Sequence, residues 1–337
     1  MPCSDRSLER DDPLAGTAGH GDRWFLVEIE GAWGTHAFLQ SRLEPTLSRL
    51  LVKRIESAGM RPLAIRRTGR RADERRNQTS WRWASVDARP GQESVKWGSV
   101  DDPEELLTVP LDGSTGVASK EPVICVCTHA RHDQCCAVKG RPVVTALAKA
   151  FPEQTWECSH LGGDRFAATM IVFPHGLYFG RVLARDAVEI VERYRSGAID
   201  SRYFRGRSSL PNVVQAAQAF ARNATDDHRI AGFSHRSTEH DGEVFTVTLD
   251  HDGFPVTVDL IEARSEPLLS TCAATRAVAV REFALRSIAA IPHDGAAQLP
   301  PVIGIPASDM SPSTTPSEAT DVMTTKSAVT DGRFSNQ

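Results

Sequence analysis

A chain of 337 residues, 40% hydrophobic and 24% charged, is long enough to bury a sizeable core and reads as two or three soluble domains. A formal net charge of −4 argues against broad electrostatic binding to nucleic acid or an anionic membrane. With no apolar run of ~18 residues and no apolar stretch in residues 1–23, neither a bilayer span nor a secretory signal is expected, and a cytoplasmic protein is.

Taken in chain order, residues 1–22 are rich in Asp, Ser, Thr, Pro and Gly, and are expected to be disordered, with Cys3 inside that head. "RWFLVEIEG" (23–31) reads as a strand. Residues 35–59 read as a helix with Phe38, Leu39, Leu43, Leu47, Leu50 and Leu51 on one stripe and Gly59 at its end. "RPLAIRR" (61–67) is a second strand, so the start is β-α-β with a parallel pair. "RRTGRRADERRN" (66–77) reads as a solvated loop, the rival reading being a docking face for an acidic partner.

"EPVICVC" (121–127) is a strand and a ligand-rich loop follows it. "GRPVVTALAKAF" (140–151) is a helix with Val143, Val144, Leu147 and Phe151 inward, and "TWECSH" (155–160) is a strand. A glycine-rich turn (161–166) leads into a hairpin of 167–174 and 177–182 across His175 and Gly176, then a helix over 185–197. This order is that of a thioredoxin-like α/β sandwich. Beyond it come a helix over 209–225, with Pro211 in its first turn, and a hairpin over 243–263 turning at Asp252-Gly253.

The expected fold is therefore α/β: a thioredoxin-like domain at 118–200 behind an N-terminal α/β unit at 23–117, one reading of which is a degenerate thioredoxin-like repeat. A C-terminal extension of helix and β-hairpin covers 201–295, and 296–337 is expected to be a disordered tail.

The chemistry gathers in one region. Cys125, Cys127, His129, His132, Cys135 and Cys136 crowd positions 125–136, and Cys158 and His160 follow. In a reducing compartment such a cluster points to metal binding or catalysis rather than a disulfide framework. Cys272 stands alone and reads as a packing residue. Zinc favours ligand pairs at C-x₂₋₄-C spacing, whereas the pairs here are Cys125/Cys127 and Cys135/Cys136, and adjacent cysteines point in different directions. A thiol–disulfide enzyme would show C-x-x-C, which is absent, leaving only the Cys125/Cys127 pair to cycle. An iron–sulfur cluster takes thiolates, and two histidines can replace two of them on one iron. Cys158 and His160 lie two apart on one strand face, and Gly162-Gly163 can fold Asp164 back toward His160.

"CTHARHDQCC", "SHLGGDRFAATMIVFP" and "YFGRV" together resemble the sucrase/ferredoxin-like family, over about residues 22–285. The resemblance implies a thioredoxin-like [2Fe–2S] ferredoxin domain. Eukaryotic relatives use two cysteines and two histidines, the histidines in H-x-G-G-H, which maps the first three ligands onto Cys127, Cys136 and His160. The second histidine is replaced here by Asp164. The fourth ligand is thus Asp164 or Cys158, with softness favouring Cys158; Cys125, as an alternative to Cys127, and Cys135 are less favoured ligands. His129, His132 and Asp133 are expected to shape the loop or donate hydrogen bonds. Pairing of Arg165 with Asp164 would make that carboxylate structural, and His175 is expected to be solvated. The family label does not imply glycoside hydrolysis, since no carboxylate pair stands out as acid and nucleophile.

The function expected is one-electron transfer through a [2Fe–2S] cluster with mixed Cys/His ligation, in a carrier more than an enzyme with its own substrate. A histidine ligand would also let the couple exchange a proton. The partner would be an unidentified redox protein, with no nucleic acid and no membrane. The rival readings are a structural zinc-binding interaction module and a thiol–disulfide oxidoreductase working through Cys125 and Cys127.

Overall fold

The head of the chain, expected to be disordered, is helical in the computed structural model, which describes residues 1–76 and 79–290. Helix α1 (Cys3–Glu9) buries Cys3, Ser4 and Ser7. Its anchor is a cation: the Arg181 guanidinium donates to the Ser7 carbonyl (3.0 Å), Ser7 Oγ (3.2 Å) and the Asp12 carbonyl (2.7 Å). Composition undercounts such a segment because hydrogen bonds to a charged donor, rather than apolar area, hold it.

The first α/β unit follows as β1 (Arg23–Glu28), α2 (Pro45–Ser57), β2 (Arg61–Arg66), α3 (Gly69–Arg75), β3 (Trp81–Asp87), β4 (Ser94–Val100) and β5 (Val117–Ser119). The helix read over 35–59 begins only at Pro45, where the Glu44 carboxylate caps it by accepting the Leu47 N–H at 2.7 Å. Leu47, Leu51 and Ile55 face inward at four-residue spacing, while Leu50 is exposed. Residues 35–44 are irregular yet still send Phe38 and Leu43 into the core.

The arginine-rich stretch, read as a solvated loop or docking face, contains α3; Arg66, Arg67 and Arg75 spend their charges within the fold, while Arg71 and Arg76 pair at the surface. Arg75 pairs with buried Glu28 (3.0 Å) and Arg66 with Glu157 (2.7 Å). Arg67 lies 3.3 Å above the Trp156 ring and donates to the carbonyls of Pro152, Glu153 and Thr155.

The second unit comprises β6 (Val123–Cys127), α4 (Gln134–Ala150), β7 (Thr155–Cys158), β8 (Met170–Phe173), β9 (Leu177–Phe179), α5 (Ala187–Arg195) and β10 (Phe204–Arg207). Helix α4 starts six residues before the expected Gly140, because the Asp133 carboxylate caps it by accepting the Cys135 N–H at 2.8 Å. Pro142 is carried inside the helix at the loss of a backbone donor.

All ten strands form one sheet in the order β10-β9-β8-β6-β7-β2-β1-β3-β4-β5. Strand β6 is parallel to β7 and antiparallel to β8, which is antiparallel to β9, the thioredoxin-like arrangement. The first unit repeats it: β1 is parallel to β2 and antiparallel to β3, with β4 beyond. The two units meet where β2 and β7 pair antiparallel at Ile65↔Cys158 and Arg66↔Glu157, a short seam that sets the C-terminal ends of both strands side by side.

Helices α4 and α5 cover Ile124 and Val126 on the outer face of the second unit, and α2 covers Phe25 and Val27 on that of the first. The opposite face is common to both halves. It curls around Trp24, Leu26, Cys125, Trp156 and Phe173, so that Trp97 of β4 stacks on Trp156 of β7 at 5.3 Å.

The extension holds α6 (Asn212–Thr225) and a four-stranded sheet of β11 (Ser234–Asp241), β12 (Val244–His251), β13 (Phe254–Arg264) and β14 (Arg281–Ala290). The hairpin turns as read, at Asp252 (φ 54°) and Gly253 (φ 90°). Val247, Leu249, Val256, Val258 and Leu260 pack under α6. The expected disordered tail, 296–337, lies outside the described residues. No helix among the described residues is long and apolar enough to cross a membrane.

Candidate metal centre

The centre is assembled from three turns. Strand β6 ends at Cys127, whose N–H donates to the Thr169 carbonyl (3.0 Å). A loop of 128–133 leads to the first turn of α4, which carries Cys136. Strand β7 runs out through Ser159 to His160, and Gly162 (φ 94°) and Gly163 (φ 79°) turn the chain so that Asp164 faces back. Gly140, one turn after Cys136, lets α4 sit directly on Cys127, since a Cβ there would overlap the Cys127 carbonyl oxygen.

The result is a tight donor set. One donor atom each of Cys127, Cys136 and His160 lie within 4.8 Å of one another. Cys136 Sγ donates to Asp164 Oδ1 at 3.1 Å, and Asp164 Oδ1 lies 3.0 Å from His160 Nδ1. His132, His160 and Asp164 form an overlapping set within the same limit.

The thiols and the carboxylate are buried, while the His160 side chain keeps 29% of its surface exposed. His132 stacks on His160 at 3.7 Å between ring centroids, and His129 on His132 at 5.7 Å. His129 Nε2 is 2.6 Å from the Gly34 carbonyl, so the irregular segment of the first unit lies over the ligand loop of the second. Together they frame an open groove lined by Thr35, Leu39, His129, His132, Ser159 and His160.

The groups polarise one another. The contact with Cys136, aided by His160 and opposed by burial, draws the Cys127 thiol down to about 6. Cys136 is pushed up correspondingly, by Cys127 first and then by burial. Burial opposes a charge on His160, yet Asp164 and Cys127 outweigh it and raise the imidazole to about 9. Burial likewise works against the Asp164 carboxylate, but His160 and the Cys136 thiol hold it below the usual range.

Of the residues singled out from sequence, Cys127, Cys136, His160 and Asp164 are therefore brought together. Cys158, favoured on softness, is not in the group: it pairs in register with Cys127 but lies fully buried among Trp24, Trp156 and Tyr178, its thiol pushed well up by burial and by neighbouring Cys125. Cys125 is sealed in the same core. Arg165 pairs with Asp12 (3.4 Å), leaving Asp164 to the thiol and the imidazoles. His175, expected to be solvated, bonds the Tyr194 hydroxyl at 2.7 Å.

His132, expected to shape the loop or donate hydrogen bonds, stacks on His160 and lies within reach of Asp164. Cys135 faces away from the centre toward Cys3 and Cys272. Cys3 is thus buried rather than disordered, and Cys272 is an exposed residue beside two other thiols rather than a packing residue.

The donors suit a thiophilic metal group: two thiols, an imidazole and a carboxylate. His160 Nδ1 is sealed from solvent and, despite its distance to Asp164, makes no hydrogen bond of good geometry among the described residues. A buried nitrogen left in that state is what a ligand position looks like.

The profile of the family described as sucrase/ferredoxin-like matches residues 14–206. The chain is similar to the altered inheritance of mitochondria protein 32 of Candida glabrata, at 30% identity over 100 residues, 25% of this chain and 32% of that protein. It thus spans about a third of the curated relative it matches. Among solved structures it is similar to a thioredoxin-like [2Fe–2S] ferredoxin from Aquifex aeolicus (21% identity, TM-score 0.24, 28% of this chain and 97% of that one). A cysteine-to-serine variant of that ferredoxin is similar as well (23% identity, TM-score 0.22, 25% and 97%).

Proposed function

We propose that this chain, which belongs to the sucrase/ferredoxin-like family, holds a [2Fe–2S] cluster and passes single electrons to and from a protein partner. The observation that carries the reading is the convergence of Cys127, Cys136 and His160 within 4.8 Å, at one edge of a thioredoxin-like unit. We assign these three as ligands and Asp164 as the fourth, because its carboxylate already touches both Cys136 and His160.

A bound cluster would supply the one-electron couple. The residues of the chain supply the rest. Cys127 favours its thiolate near neutral pH, the form that ligates metal. Buried Cys136 and Asp164 keep water from the inner side, which protects a cluster and tunes its potential. The exposed edge of His160, with His132 stacked on it, gives the partner the shortest approach to the centre. Thiol–disulfide exchange is disfavoured, because Cys125 and Cys127 are 0% and 1% exposed and no external disulfide reaches them. The reading carries with it a reducing, cytoplasmic setting, where thiols stay free to bind metal.

The test is made on anaerobically purified protein: visible spectrum and EPR before and after dithionite, with iron, sulfide and zinc counts. A red-brown protein with two irons and two sulfides per chain, EPR-active only when reduced, is the expected result. A colourless protein that takes zinc at Cys127 and Cys136, and no iron on reconstitution, would overturn it.

A further inference from the structure

Cys135 and Cys136 are adjacent in the first turn of α4, and their thiols face opposite ways. Cys135 Sγ lies 3.6 Å from Cys3 Sγ and 3.1 Å from Cys272 Sγ, and the triangle closes with 3.5 Å between Cys272 and Cys3. Asp133 stands over it. Its Oδ1 accepts the Cys135 N–H at 2.8 Å, and its Oδ2 accepts the Cys272 N–H at 2.7 Å while lying 3.8 Å from Cys3 Sγ. Ser4 Oγ donates to Cys135 Sγ at 3.3 Å, and the Cys3 N–H donates to Cys272 Sγ at 3.5 Å.

We propose that Cys3, Cys135, Cys272 and Asp133 form a structural zinc site, separate from the centre described above and sharing no ligand with it. All four donor atoms fall within 4.8 Å of one another. Sulfurs bound at ~2.3 Å to a tetrahedral zinc stand ~3.8 Å apart, so two edges of the triangle open by about 0.2–0.3 Å and the Cys135–Cys272 edge by about 0.7 Å. Three thiolates and one carboxylate are a donor set zinc takes readily, and the N–H and O–H groups aimed at the sulfurs are the outer partners such thiolates keep.

Two backbone N–H groups hold the Asp133 carboxylate against the three sulfurs, so the negative donor is already in place for a cation. A Cys135–Cys272 disulfide would leave Cys3 and Asp133 with no part in the site. A surface pocket lined by Pro2, Asp5, Cys135, Lys139 and Cys272 gives the ion a way in. The ligands lie 132, 137 and 269 residues apart, so the ion would clasp the head of the chain and the loop between β13 and β14 onto the start of α4.

The experiment uses the full chain, purified under reducing conditions, stripped with chelator and titrated with cobalt(II). The expected result is a tightly held equivalent with intense sulfur-to-cobalt charge-transfer bands and tetrahedral d–d bands, displaced by zinc. Cys272→Ser, at an exposed position, and Cys3→Ser each lose that equivalent, while Cys127→Ser keeps it and the iron content of Cys272→Ser is unchanged. Cobalt bands unaffected by Cys272→Ser, no cobalt bound by the wild-type chain, or recovery of Cys135 and Cys272 as a disulfide under reducing conditions would overturn the site. The wild-type and Cys272→Ser proteins decide the matter between them, whatever the iron content proves to be.

Discussion

Gly140→Ala puts the packing behind the centre to the test. In an ordinary helix the change is stabilising, by about 1 kcal/mol. Here the new methyl meets the Cys127 carbonyl oxygen, with the carbonyl carbon at 3.3 Å and Thr128 Cγ2 at 3.4 Å. The obstacle is backbone held in the sheet, so no side chain can rotate aside and α4 itself must lift. Overpacking of this kind costs about 1–3 kcal/mol. With a rigid obstacle the upper part of that range applies, and after the propensity gain the net loss is about 1–2 kcal/mol. At about 2–4 °C per kcal/mol this lowers the Tm by about 2–8 °C. Because Cys136 lies one turn earlier on the same helix, occupancy of the proposed metal centre is expected to fall with it. Thermal unfolding and iron counts on the same preparation check both effects. An alanine variant that is more stable than the parent and keeps its full metal complement would refute the claim that this contact sets the Cys127–Cys136 spacing.

Other substitutions separate the parts. Asp164→Ala is expected to lower iron occupancy and alter the visible spectrum, whereas Cys158→Ala leaves the spectrum intact and costs about 1–2 kcal/mol for the small cavity it opens in the core; loss of the cluster in Cys158→Ala alone would reverse the assignment of the fourth ligand. Arg181→Ala removes three hydrogen bonds to the head of the chain, and limited proteolysis should then cut within residues 1–12 while the rest stays resistant. Asp227 is held well below the usual carboxylate range by Arg229, against the effect of burial and with help from His251. Its stabilising contribution is therefore complete above the unfolded-state value of about 3.9 and is lost as pH falls below it. Asp227→Asn should flatten the acid limb of the Tm–pH curve, and an unchanged limb would show that other carboxylates govern it.

What the sequence made legible was local. The Cys127–Cys136 spacing and the H-L-G-G-D run pointed to side chains that the structure draws together, because strand ends and glycine turns are written in short windows. The hairpin at Asp252-Gly253 was equally plain, with its alternation and its turn in one stretch. Strand β11 was hidden because all eight of its residues are exposed, which leaves no apolar period to read. The start of α4 was misplaced because Gly140 and Pro142 look like helix punctuation, while the Asp133 cap lies upstream of them. The sequence left the fourth donor open between Cys158 and Asp164: softness is a property of the residue, whereas the approach of Asp164 to Cys136 and His160 depends on the turn at Gly162 and Gly163 that brings it back. The meeting of Cys3, Cys135 and Cys272 was beyond any local pattern, since it is made by tertiary folding across most of the chain.

The β2–β7 seam amounts to an interface between two copies of one plan, internalised in a single chain. A homodimer joined on such an edge would be bound by its symmetry to carry two identical centres, each needing the same ligands and the same surroundings. Covalent linkage lifts that constraint and fixes the two partners at a permanently high effective concentration. One half can then keep the donors while the other gives them up and specialises as housing. The backbone carbonyl of Gly34 resting on His129 is the visible mark of that division of labour.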